Sequence, residues 1–89
     1  MILKKVNTLQ EVSFVNLWTA PFKKPLRVLD LSGFGEEVRN VLVQLGVDAG
    51  ETIEKVHAAP LRDPVSLRIG DQLFTLRSEV CRKIEVELA

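Results

Sequence analysis

The chain has 89 residues, 46% apolar and 27% charged, with twelve Lys and Arg balanced by twelve Asp and Glu. Those proportions suit one small folded domain and argue against a disordered chain. A neutral chain has no long-range field to draw in nucleic acid or anionic lipid, and a single cysteine excludes an internal disulfide.

Met1–Lys5 lacks the apolar stretch of a signal peptide. No apolar run nears the roughly 20 residues that span a bilayer. A cytoplasmic location without membrane insertion is therefore expected, and residues 1–89 read as one domain. The first third keeps no steady period. It reads as a short helical turn near Thr8–Val12, then an extended segment carrying Phe14, Trp18 and Phe22, broken by Pro21 and Pro25. Lys23, Lys24 and Arg27 lie close together and read as a solvated edge.

Leu26–Leu31 is rich in branched apolar residues and predicts a strand, ended by Ser32-Gly33-Phe34-Gly35. Val38, Val41, Leu42 and Leu45 then fall on one helical face. Glu36 and Glu37 suit the first turn of that helix and Gly46 its end, so one short helix is predicted over Glu36–Leu45. Asp48-Ala49-Gly50 turns the chain into a strand over Thr52–Ala58, which stops at Pro60. Asp63-Pro64 opens another strand, where Val65, Leu67 and Ile69 face one way. Gly70-Asp71 marks a hairpin returning through Gln72–Leu76. Ser78 can cap one helical turn through Lys83, and Ile84, Val86 and Leu88 alternate with Glu85 and Glu87 as a last strand. The expected fold is mainly β: a small, partly open barrel with one short helix.

Several motifs on these elements resemble the FeoA family. They are Leu45-Gly46-Val47-Asp48-Ala49-Gly50, then Ala59-Pro60, Asp63-Pro64-Val65, Leu76-Arg77 and Ile84-Glu85-Val86. The pattern reads LGxxxG, AP, DPV, LR and IxV. It implies a small cytoplasmic SH3-like barrel that accompanies the ferrous-iron transporter FeoB, similar to the last domain of repressors related to DtxR. The chain departs from the family pattern in three places. Val41 stands where the family usually has Arg, and Val80-Cys81 where it often has Glu-Ala. Thr8–Val12 resembles the family's opening segment, which leaves Ser13–Lys23, within a partly unmatched stretch 1–25, without a clear counterpart.

Catalysis finds little support. His57 is the sole imidazole and has no orienting acid beside it in sequence. Glu36-Glu37 is explained by the helix start and Glu85/Glu87 by a solvated strand face. Gly33-Phe34-Gly35 runs into those two glutamates, which would repel a phosphate. His57 and Cys81 are the candidate ligands for Fe²⁺ or Zn²⁺, but such sites need several more donors. A buried cysteine filling a small apolar slot is the favoured reading of Cys81. Phe14, Trp18 and Phe22 recur every four residues. Burial is the favoured reading of that spacing, while exposure would make them a partner-binding patch. The resemblance implies a non-enzymatic accessory domain that binds an FeoB-type transporter. The alternatives are a metal-responsive module and a homo-oligomerising domain, such as a homodimer built on Phe14–Phe22.

Overall fold

Branched apolar residues at alternate positions make five strands of the chain from Pro25 on. The computed structural model describes residues 15–89. The strands are β1 (Val15–Asn16), β2 (Pro25–Asp30), β3 (Thr52–Ala58), β4 (Val65–Ile69), β5 (Gln72–Leu76) and β6 (Glu85–Leu88). Between them lie α1 (Glu36–Gln44), a tight 3-10 turn at Pro60–Arg62, and α2 (Ser78–Cys81). All neighbours pair antiparallel in one sheet of order β1-β6-β2-β3-β4-β5. The sheet does not close, so β1 and β5 are its edges. This is the mainly β, partly open architecture that the sequence predicts. No described helix is long and apolar enough to cross a membrane.

The core forms where alternation points inward: Leu26 and Val28 on β2, Ile53 on β3, Val65 and Leu67 on β4, Val86 on β6. Leu17, Leu42, Val47, Cys81 and Ile84 fill it from the connections. Helix α1 ends as its sequence requires. Gly46 takes φ +97, its N–H donates to the carbonyl of Val43, and the N–H of Val47 donates to that of Leu42. These two bonds satisfy carbonyls that the last helical turn would leave open. Gly46 also lies flat against β4, where a Cβ would come within 3.0 Å of Ile69 Cγ2.

One expectation needs correction, and two apolar patterns are less buried than their periodicity alone would suggest. The segment predicted as extended is so only at Val15–Asn16. Thereafter the N–H of Thr19 bonds both the carbonyl and Oδ1 of Asn16, and that of Ala20 bonds the same carbonyl. Asparagine bonding locally in this way favours a turn over a strand. Thr8–Val12 and Phe14 lie outside the described residues. The apolar face of α1 is mostly exposed: Leu42 is buried, but Val38, Val41 and Leu45 are not. The strands that α1 connects, β2 and β3, already pair with each other, so the helix rests on the sheet through little more than Leu42. Lastly, Leu88 is exposed although Ile84 and Val86 are buried, because it stands at the end of the sheet.

Candidate functional site

Strand β3 carries Ile53 and Lys55 on its inward face, and both are buried. A buried ammonium loses its hydration and must find other partners. Lys55 finds them on the segment after β1. Its Nζ donates to the carbonyls of Trp18 (2.8 Å) and Ala20 (2.7 Å). It also sits 4.3 Å from the centre of the Phe22 ring, whose π face attracts a cation. The backbone adds a further tie, since the N–H of Lys23 donates to the carbonyl of Lys55 at 2.7 Å. Burial lowers the proton affinity of Lys55 below the ordinary lysine value, with Arg62 adding to the effect.

The turn after β3 supplies the outer part of the site. Leu61 and Arg62 both take left-handed backbone angles, φ 63 and 62. Such angles cost a non-glycine residue about 1–3 kcal/mol and persist only where neighbours enforce them. Arg62 is held by its partners: Nη2 donates to the carbonyl of Trp18 at 3.0 Å, and its Cζ lies 4.2 Å from the Trp18 ring. Arg82, at the end of α2, brings its own Cζ to 4.8 Å from that ring. Leu61 is left 95% exposed. Asp63 and Pro64, joined by a cis peptide, follow directly. Asp63 accepts the N–H of Ser78 at 2.8 Å, capping α2, and lies 3.7 Å from Arg77. That ion pair and Arg27–Glu87 are the two among the described residues, so neither guanidinium on Trp18 meets a carboxylate there.

Trp18 and Phe22 are therefore half-buried and brought together around one lysine, and Phe14 lies outside the described residues. The two candidate metal ligands part company. His57 is exposed on β3, in a shallow cleft of about 280 Å³ lined by Leu73 and Phe74. Cys81 is buried in the core beside Lys55, with its thiol pushed up to about 11 by desolvation. A thiol that holds its proton so firmly is a poor ligand and a poor nucleophile near neutral pH. Among the described residues no three His, Cys, Asp or Glu side chains converge as a metal site would require. A larger cavity of about 720 Å³ adjoins the corner through Arg82, with Val15, Asp30, Ser32, Lys83 and Glu85 also in its wall. Its acids and bases offset one another. Sequence reasoning passed over Lys55, Leu61, Arg62 and Arg82. The available signal was a lysine at an inward position of a strand, beside Ile53.

The FeoA domain matches residues 15–88, so Trp18, Phe22 and Lys55 lie within the matched span, and only residues before Val15 precede it. A Porphyromonas gingivalis (strain ATCC BAA-308 / W83) protein described as an Fe(2+) transport protein A/Fe(2+) transporter FeoB fusion is 50% identical over 50 residues. That match covers 56% of this chain and 6% of the fusion. The solution structure of iron(II) transport protein A from Clostridium thermocellum superposes with a TM-score of 0.74 at 37% identity, over 84% of this chain and 46% of that one. The FeoA protein from Chlorobium tepidum gives 0.75 at 24%, over 83% and 70%. ScaR with bound Zn²⁺ gives 0.73 at 20%, over 84% and 37%, and shares the fold. This chain thus spans less than half of several proteins it matches. The match over residues 15–88 places the chain in the FeoA domain family.

Proposed function

We propose that this chain is a non-enzymatic accessory domain of ferrous-iron uptake, which works in the cytoplasm by binding an FeoB-type transporter. The observation that carries the reading is the fusion relative, in which a stretch half identical to this chain shares one polypeptide with a transporter named FeoB. Two functions joined covalently in one organism commonly meet non-covalently where they are separate, because fusion only raises their effective concentration. The geometry supports binding over chemistry. Leu61, the most exposed large apolar side chain among the described residues, adjoins Arg62, which with Arg82 lies against the Trp18 ring, while the buried thiol at Cys81 is unsuited to nucleophilic attack. In this reading iron is the cargo of the partner and needs no ligand on this chain.

The test is calorimetric titration of the purified chain into the cytoplasmic part of an FeoB-type transporter. A dissociation constant of about 1–100 μM is expected, typical of transient regulatory pairs with small interfaces. No detectable heat at concentrations well above that range would overturn the proposal.

A further inference from the structure

We infer that the corner built from Leu61, Arg62, Trp18 and Arg82 is the docking surface of this domain, and that it receives an acidic segment bearing an apolar side chain. The inference rests on the reading above that the chain acts by binding a protein partner, and it names where and to what chemistry.

Three observations converge on this corner. Leu61 is 95% exposed at the tip of a turn whose two central residues take left-handed angles without glycine. Strain of that kind gathers where a side chain must be displayed. Beside it, Arg62 and Arg82 both lie against the Trp18 ring, and neither pairs with a carboxylate among the described residues. Beneath them the Lys55 ammonium is fully buried. A chain of zero formal charge thus gathers three cations at one place, two of them presented outward on an aromatic plate. Guanidiniums held against a ring in this way are pre-organised for carboxylates. Trp and Arg are also the side chains most enriched in the central contacts of protein interfaces. Charge complementarity therefore selects an acidic partner segment, and Leu61 selects an apolar residue within it. Lys55 is the positioning residue: it holds the carbonyls of Trp18 and Ala20, and so fixes the plate on which the arginines rest.

Trp18 is the only tryptophan of the chain, so its fluorescence reports on this surface directly. The first arm titrates an acidic Asp/Glu/Leu peptide of about a dozen residues, its Lys-for-acid counterpart, and an oligothymidylate. A shift in Trp18 emission with the acidic peptide alone is expected. An oligothymidylate response equal to or stronger than the peptide's overturns the inference, as does no response to the peptide. The second arm measures binding to the cytoplasmic part of an FeoB-type transporter for wild type, Arg62→Glu/Arg82→Glu, Arg62→Lys/Arg82→Lys, Leu61→Asp and Val41→Asp. The charge reversal and Leu61→Asp should each weaken binding about tenfold or more, the lysine pair much less, and Val41→Asp on helix α1 not at all. Circular dichroism confirms that each variant folds. If wild type binds and the charge reversal binds equally well, the docking surface is overturned while the functional reading stands. If wild type itself fails to bind, the reading falls, and the inference with it.

Discussion

Helix α1 and the Lys55 corner are built on opposite principles. The helix carries the most regular apolar pattern in the chain, yet Val38, Val41, Val43 and Leu45 stay exposed and Leu42 alone is buried. The corner carries a lysine, and that lysine is as deeply buried as any core leucine. What decides burial in each case is the neighbour supplied by topology. The strands on either side of α1 pair with each other, so the helix is an addition to a finished sheet. Lys55 lies under the turn that follows β1, where it meets two carbonyls and an aromatic ring, and the carbonyl of Ala20 would lose its side-chain donor if an apolar residue stood there. An apolar stripe needs a surface to meet, and a buried charge needs a cage.

The sharpest way to break this comparison is at Lys55. Lys55→Ala removes the ammonium and three methylenes. The carbonyl of Trp18 keeps its bond from Arg62, but among the described residues that of Ala20 loses its side-chain donor. An orphaned buried acceptor costs about 1–3 kcal/mol and the vacated volume a similar amount. A loss of about 3 kcal/mol is therefore expected in guanidinium unfolding followed by Trp18 fluorescence. Lys55→Met keeps most of the stem and should lose about half as much. A Lys55→Met domain more stable than wild type would show instead that the charge is a net burden, as buried ion groups sometimes are, and the cage would lose its structural rationale.

The same contrast explains what could be read from sequence. Strand alternation, the hairpin at Gly70-Asp71 and the cap at Gly46 are local, set by two to five neighbouring residues, and the structure places them where the sequence does. The helix boundaries followed as well, but its burial did not, because periodicity reports which residues share a face and not whether anything covers that face. The corner was the least legible part. Its members stand at positions 18, 22, 55, 62 and 82, and only the sheet brings them together. Trp18 and Phe22 stand out by their spacing, whereas Arg62 and Arg82 carry no local signal. Lys55 breaks the apolar alternation of β3. Such a break is weak evidence until the chain that crosses over it is known.

A second test of the corner is its response to alkali. Burial raises the Cys81 thiol from 9.0 to about 11, so between those values the folded state holds a proton that the unfolded chain releases. Stability from this group is therefore unaffected below pH 9 and falls as pH rises toward 11. Lys55 acts in the opposite sense. Its folded value is depressed, so the unfolded chain binds more protons between that value and 10.5, and stability rises with pH across that window. Comparing wild type with Cys81→Ala isolates the thiol. The advantage of wild type over the variant should shrink by about 2 kcal/mol between pH 9 and 11. A difference that stays constant with pH would mean that Cys81 is less desolvated than its position in the core implies.

The smallest expected effect lies on the helix, and its smallness is what matters. Val41 is 55% exposed, while its neighbour Leu42 is buried. If α1 meets the rest of the domain only through Leu42, then Val41→Gln should change stability by no more than about 0.5 kcal/mol, as for other exposed sites. Leu42→Ala, which empties a core position, should cost several times that. Glutamine is a somewhat better helix former than valine, so a slight gain is as compatible with the fold as a slight loss. A destabilisation above about 1 kcal/mol for Val41→Gln would mean that the valine face is covered in solution, by a second copy of the chain or by residues ahead of Val15. The concentration dependence of the midpoint separates the two, since a cover from another molecule fades on dilution and one from the same chain does not.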